Sequence, residues 1–211
     1  MKHEPKQFIM REKLERLASR LEANNFGVTI TETAEEAAEF IKHQIPSGAS
    51  VGVGGSVTLD ELGLIDWLRD NPEVKFIDRY RTDDRKKAFH DALLADVFLM
   101  STNAVTMEGF LYNIDGTGNR LAALIYGPDK VYVIAGANKI VKDLEEAKTR
   151  VEQIAAPANC VRLNKDNPCV KMGECMHCNH ESTICNQYVV TRRSGEKGRI
   201  HIILVNEELG Y

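Results

Sequence analysis

From the N-terminus to about residue 155, short apolar runs ending in glycine or polar turns alternate with amphipathic stretches. Strands are expected at residues 28–30, 50–53, 75–78, 96–101 and 130–135. Val97, Phe98, Leu99 and Met100 are apolar in succession, as in a strand covered on both faces of a parallel sheet. Between these runs lie stretches of helical period. Met10, Leu14, Leu17, Ala18 and Leu21 recur at three- and four-residue steps within a helix over 7–24. Thr33 and Glu36 form a capping box for a helix reaching Gln44. Further helices are expected over 59–69, 83–94, 119–126 and 139–155, and residues 104–114 read as an extended excursion or hairpin. Strand–helix alternation of this kind predicts an α/β fold: a mainly parallel sheet with helices on both faces.

The texture changes near residue 160. Residues 1–158 read as the α/β domain, and 159–211 as a cysteine-rich metal loop followed by C-terminal strands, packed on the same domain. Those strands, 187–191 and 200–205, flank a turn at 194–198 and read as a short β hairpin. Hydrophobic residues make up 43% of the 211, enough for a real core. The formal net charge of −4 gives no drive toward nucleic acid or an anionic membrane. Basic residues cluster at Arg79, Arg81, Arg85, Lys86 and Lys87, but Asp78, Asp83 and Asp84 interrupt them, which fits a solvated helix face. The first ten residues lack the apolar core of a signal peptide, and no run approaches the roughly 18 apolar residues of a membrane span. A cytoplasmic location follows as an expectation.

In an α/β sheet the ligand site is expected at the C-terminal ends of the strands, where the glycine-rich segments fall. Gly54, Gly55, Ser56 and Thr58 follow the second strand. Glycines let backbone N–H groups approach an anion, and the two hydroxyls can donate to it. A plain tight turn with Ser56 or Thr58 as helix cap is the alternative. No P-loop or full dinucleotide motif is present, so no nucleotide cofactor is expected. A second polar segment holds Thr102, Asn103, Glu108, Asn113, Asp115, Gly116, Gly118, Asn119 and Arg120. Arg120 can offer bidentate donation to a carboxylate or phosphate, with Asp115 and Asn119 orienting it. Glu108 is the candidate catalytic base or nucleophile. The alternatives are turn and cap roles for Asp115 and Asn119 and a solvated Glu108. Lys139 follows the strand at 130–135 and can complete an anion site, or lie on the surface.

All five cysteines fall between residues 160 and 185. Cys169, Cys175, Cys178 and Cys185 are spaced C-x5-C-x2-C-x6-C. In a reducing compartment such a cluster favours metal ligation over disulfides. The spacing matches no common ferredoxin run and lacks the second C-x2-C of a zinc ribbon. An iron–sulfur cluster and zinc both suit four thiolates, and the choice stays open. His177 and His180 are alternative ligands, and Cys160 reads as a separate buried thiol.

The run Ser101 to Gly109, continued by Asn113 to Ala123 and Tyr126-Gly127-Pro128, resembles the signature of the LUD-domain family, the lactate-utilisation proteins. The loop at Gly54-Gly55-Ser56, the segment Gly136 to Val141, Ile184-Cys185-Asn186 and the tail from Leu204 to Tyr211 are similar to the same pattern. The resemblance implies a fold like the NagB/RpiA/CoA-transferase group and a link to oxidation of lactate beside iron–sulfur partner subunits. Three functional readings follow. The first is a subunit or accessory in oxidation of a small 2-hydroxy acid, binding a carboxylate or phosphate at the glycine-rich strand ends. The second is a non-catalytic module that senses a metabolite or redox state through its metal loop. The third is CoA transferase-like acyl transfer through Glu108. Whether the chain is itself an enzyme, and whether it forms a homo-oligomer, stays open at this point.

Overall fold

A computed structural model describes residues 5–211. Six strands form an all-parallel sheet: β1 (Gly27–Thr31), β2 (Ser50–Val53), β3 (Lys75–Phe76), β4 (Val97–Ser101), β7 (Lys130–Gly136) and β10 (Ile200–Val205), in the order β1-β10-β7-β4-β2-β3. Alternate residues of the central strands feed two cores. Val97, Leu99, Tyr132, Ile134, Ile203 and Val205 point to the face covered by α2 (Ala34–Gln44), α3 (Val57–Glu61) and α4 (Leu64–Asp70). Phe98, Met100, Val131, Val133, Ile202 and Leu204 point to the face covered by α1 (Pro5–Ala23), α5 (Arg85–Leu93) and α6 (Asn119–Ile125). This is the expected architecture, with apolar runs set by burial on both sides.

A second sheet rides beside the first, in the order β8-β5-β6-β9: β5 (Ala104–Thr106), β6 (Leu111–Asp115), β8 (Ile140–Val141) and β9 (Gln187–Thr191). β5 and β6 form the antiparallel hairpin that residues 104–114 suggested. The helix α7 (Leu144–Arg150) packs on this sheet and runs through a π turn (Val151–Ala155) into α8 (Ala156–Arg162).

Several details differ from the sequence reading. Residues 187–191 and 200–205 do not pair as a hairpin: β9 joins β6 in the small sheet, and β10 inserts between β1 and β7 in the large one. The helix expected over 59–69 is two helices, because Gly63 adopts φ 64° between them. The helix expected over 139–155 starts later, since Ile140 and Val141 pair with β5, and it continues to Arg162. The strand expected over 75–78 ends at Phe76. α8 also spans the 158/159 boundary, and the tail strands are built into both sheets, β9 into the small one and β10 into the large one. Thr33 caps α2 by accepting from the Glu36 amide at 3.2 Å, while the Glu36 carboxylate reaches back to the Glu32 amide, one residue before the box would place it. Among the described residues no helix is long and apolar enough to cross a membrane.

Candidate functional site

A cavity of about 190 Å³ opens at the C-terminal edge of the large sheet. The ends of β2, β4 and β7 bring Gly55, Ser56, Thr58, Thr102, Asn103 and Lys139 to it, and the turn after β6 adds Asp115, Gly116, Asn119 and Arg120. Ten of the sequence candidates therefore meet in one place. Ser101, Arg79, Thr117, Asn159, Arg162 and Tyr211 join them from outside the candidate set.

Lys139 sits on the short 3-10 turn after β7 and is 2% exposed. Its ammonium donates to Thr58 Oγ1 at 2.8 Å and to Ser101 Oγ at 2.7 Å. Burial, with Arg150 and Arg120 nearby, pulls its pKa down from 10.5 to about 7. The surface-lysine alternative is thereby overturned. Thr58 is a partner of this amine rather than a helix cap, whereas Ser56 both lines the cavity and caps α3 by accepting from the Leu59 amide.

Arg120 behaves differently from the free clamp expected of it. Nη1 donates to the Ser101 carbonyl and to Asn113 Oδ1, Nη2 donates to Asn103 Oδ1 and to the Ile114 carbonyl, and Nε faces Asp115 Oδ2 at 3.4 Å. The guanidinium fork is used up inside the protein. It ties the end of β4 to the end of β6, and Gly54 makes room for it: a Cβ there would stand 2.9 Å from Arg120 Cγ and Cδ. Asn113 lies beneath the cavity, fully buried, with Oδ1 accepting also from the Asn103 amide. Asp115 Oδ1 accepts from the Thr117 and Gly118 amides, so its turn role holds alongside its ion pair. Gly118 takes φ 88° ahead of α6, and Gly54, Asn113 and Gly118, all candidates from the sequence, do not line the cavity.

The free cationic surface comes instead from Arg79 and Arg162. Arg79 is not on a solvated helix face; it lies in the loop before α5 with its guanidinium carbon 4.6 Å from the Phe89 ring centroid and 5.5 Å from that of Tyr80. Its buried Nε has no hydrogen-bond partner among the described residues, and burial lowers its pKa. Arg162, at the end of α8, spends Nε on Asn159 Oδ1 and Tyr211 Oη and Nη2 on Asn159 Oδ1. The tail that carries Tyr211 is strapped to the strand ends. Ala137 donates to the Glu207 carbonyl, Asn138 Nδ2 to the Gly210 carbonyl, and the Gly210 amide to Glu61. Four basic side chains thus face the single lining carboxylate, Asp115. Such a site favours an anion.

Glu108 is not part of it. The β5–β6 hairpin keeps Asn103 and Asn113 at its base, by the cavity, and carries Glu108 to its exposed tip, where the Glu108 carbonyl accepts from Asn24 at the end of α1.

A second cavity, about 220 Å³, adjoins the first. Cys160, Cys169, Cys175, Cys178 and Cys185 all line it, with His177, Asn167 and Tyr188. Cys160 is buried as expected, yet it shares the cavity with the other four. His180, the other histidine considered, bonds to Ser182 instead. The loop is anchored by the Cys175 amide on the Glu152 carbonyl and by Asn186 on Asp115 and Gly116. Burial and the neighbouring thiols push Cys169 up to about 11 and Cys185 up to about 12. Among the described residues no three His, Cys, Asp or Glu side chains converge as ligands of a single metal ion.

No curated protein matches the chain. Among solved structures, a DUF162 family protein from Deinococcus radiodurans is similar in fold, with 17% identity, a TM-score of 0.53, and coverage of 93% of this chain and 97% of that one. The LUD domain matches residues 14–205, nearly the whole length, including every strand, both cavities' main walls and the Arg120 tie. The chain belongs to the LUD domain family.

Proposed function

We propose that the cavity at the strand ends binds a small carboxylate, a 2-hydroxy acid such as lactate, and that the chain serves as a subunit or accessory in its oxidation. Membership of the LUD domain family makes this a lactate-utilisation-related protein. The observation that carries the finer reading is Lys139. An amine 2% exposed, beside the cations of Arg120 and Arg150, is costly to hold in a protein. An anion in the adjoining cavity offsets that cost, and perturbed groups of this kind cluster at functional sites. Lys139, Arg79 and Arg162 are the receptors for the carboxylate, and Ser56 and Asn119 are within the cavity wall to take the 2-hydroxyl. Arg120 holds the floor in place. Burial lowers the Lys139 pKa to about 7, so the bound carboxylate selects its ammonium form.

We also propose that the thiol cavity holds a metal centre, an iron–sulfur cluster or zinc, at Cys169, Cys175, Cys178 and Cys185. Acyl transfer through Glu108 has no support from the geometry, since that residue sits at the hairpin tip and does not line the cavity. The non-catalytic sensing reading is favoured by one observation, the engagement of Asp115 by Arg120 and two amides, which leaves no free carboxylate in the site. A lactate-dependent dye-reduction assay, with the chain alone and with partner subunits, separates the two. Turnover that is lost in Lys139→Met supports the oxidation reading. Lactate binding without turnover in either setting supports the sensor.

A further inference from the structure

We infer that the cavity at the strand ends takes an acid with two anionic groups, the first received by Lys139 and Arg79 and the second by Arg162. This rests on the carboxylate reading above and narrows its substrate class. Among the lining side chains, Arg120 and Asp115 pair with each other at 3.4 Å. Lys139, Arg79 and Arg162 are left without a carboxylate partner in the wall. Lys139 and Arg79 serve the same loop after β2. Thr58 accepts from the Lys139 ammonium at 2.8 Å, and a Cβ built on Gly55 would stand 3.7 Å from Arg79 Nη1. One carboxylate, with its two oxygens, satisfies that pair.

Arg162 is a separate cation, brought from the end of α8. Asn159 Oδ1 accepts from its Nε at 3.0 Å and from its Nη2 at 2.8 Å, and Tyr211 Oη accepts from its Nε at 2.9 Å. Tyr211 in turn donates to Asn159 Oδ1 at 3.3 Å. These bonds fix the guanidinium and leave Nη1 for an outside acceptor. A side chain ordered in advance spares the ligand that cost. Burial is the main cause of the lowered Arg79 pKa, and repulsion from Arg85 and Arg162 adds to it. Arg79 is packed on the Phe89 ring at 4.6 Å, so the repulsion is built in. Asp60 also feels Arg162, but it does not line the cavity. Lactate supplies one negative charge and leaves Arg162 unneutralised. A 2-hydroxy acid with a second carboxylate or a phosphate ester at its far end neutralises it, and a planar guanidinium suits either group.

The test is calorimetric titration of the full chain with malate, 3-phosphoglycerate and 2-hydroxybutyrate. All are 2-hydroxy acids, and the last ends in a methyl group and controls for size. Malate or 3-phosphoglycerate is expected to bind at least about fivefold more tightly than 2-hydroxybutyrate, the worth of one partly exposed ion pair. That ratio is expected to fall toward one in Arg162→Gln and to shrink in Tyr211→Phe, which frees the guanidinium without removing it. A gain with one compound alone supports the proposal and names the second group as carboxylate or phosphate. Equal affinity for all of them overturns the second anionic group and leaves the carboxylate reading standing. A ratio that survives Arg162→Gln overturns the role of Arg162. Binding of none overturns both readings. If a variant fails to fold, the ratio in the unaltered chain still decides.

Discussion

At the scale of single residues, two of the cavity's three arginines, Arg120 and Arg79, divide the work. Arg120 is committed to four hydrogen bonds and an ion pair within the fold. Removing it leaves Asp115, 10% exposed at its side chain, without its cation. Breaking a buried pair in this way costs about 3–5 kcal/mol, so Arg120→Met is expected to lower stability by that amount in urea unfolding. Arg79 has a buried Nε without a partner and stands over the cavity. Arg79→Ala is expected to weaken lactate binding by roughly 10- to 100-fold, the worth of one charge-assisted hydrogen bond, with a much smaller loss of stability. Lys139 carries the pH dependence. Its folded pKa near 7 lies below the ordinary 10.5, so the unfolded chain binds more protons between those values, and Lys139 adds stability as pH rises through that window. A carboxylate reverses the preference by favouring the ammonium. Lactate binding is therefore expected to take up a proton, and to weaken by about tenfold per pH unit above pH 7. Calorimetry in two buffers of different ionisation enthalpy measures that uptake.

At the scale of elements, β4 and β7 were legible in the sequence because burial on both faces leaves a continuous apolar run. β10 was legible as a strand but not as a central one. Pairing is a long-range property, and turn signals at 194–198 suggested the nearest partner, β9. Ile140 and Val141 were read as helix for the same reason, since their partner is β5. The site followed a similar division. Glycines and polar residues at the ends of β2, β4 and β7 pointed to it because the strand-end rule is local. Arg162 and Tyr211 come from α8 and from the tail, brought in by folding alone. Arg79 was hidden by its charged neighbours, though its place just after β3, at the same edge of the sheet, was a usable signal. Glu108 looked catalytic by company, and the hairpin carries it off. The central position of β10 is testable: Ile203, with no exposure, sits in the core under α2 and α3. Ile203→Ala is expected to cost about 2–5 kcal/mol, more than the tip of a peripheral hairpin would lose.

At the scale of the whole molecule, two cavities share one wall. The basic one lies at the strand ends and the thiol one behind α8 and the loop. α8 lends Asn159 and Arg162 to the first and Cys160 to the second, so the centres are mechanically joined. A metal bound only by the folded chain stabilises it in proportion to its affinity. Chelator treatment is expected to lower the melting temperature of the metallated protein, and unchanged melting would argue against a bound metal. The anion site stands independently of any metal. Its most direct test is calorimetric titration of the full chain with lactate on either side of pH 7, repeated for Arg79→Ala and Lys139→Met. Saturable binding is expected that tightens at the lower pH and is weakened in both variants. Absence of binding to the unaltered chain, or binding indifferent to both substitutions, would contradict it.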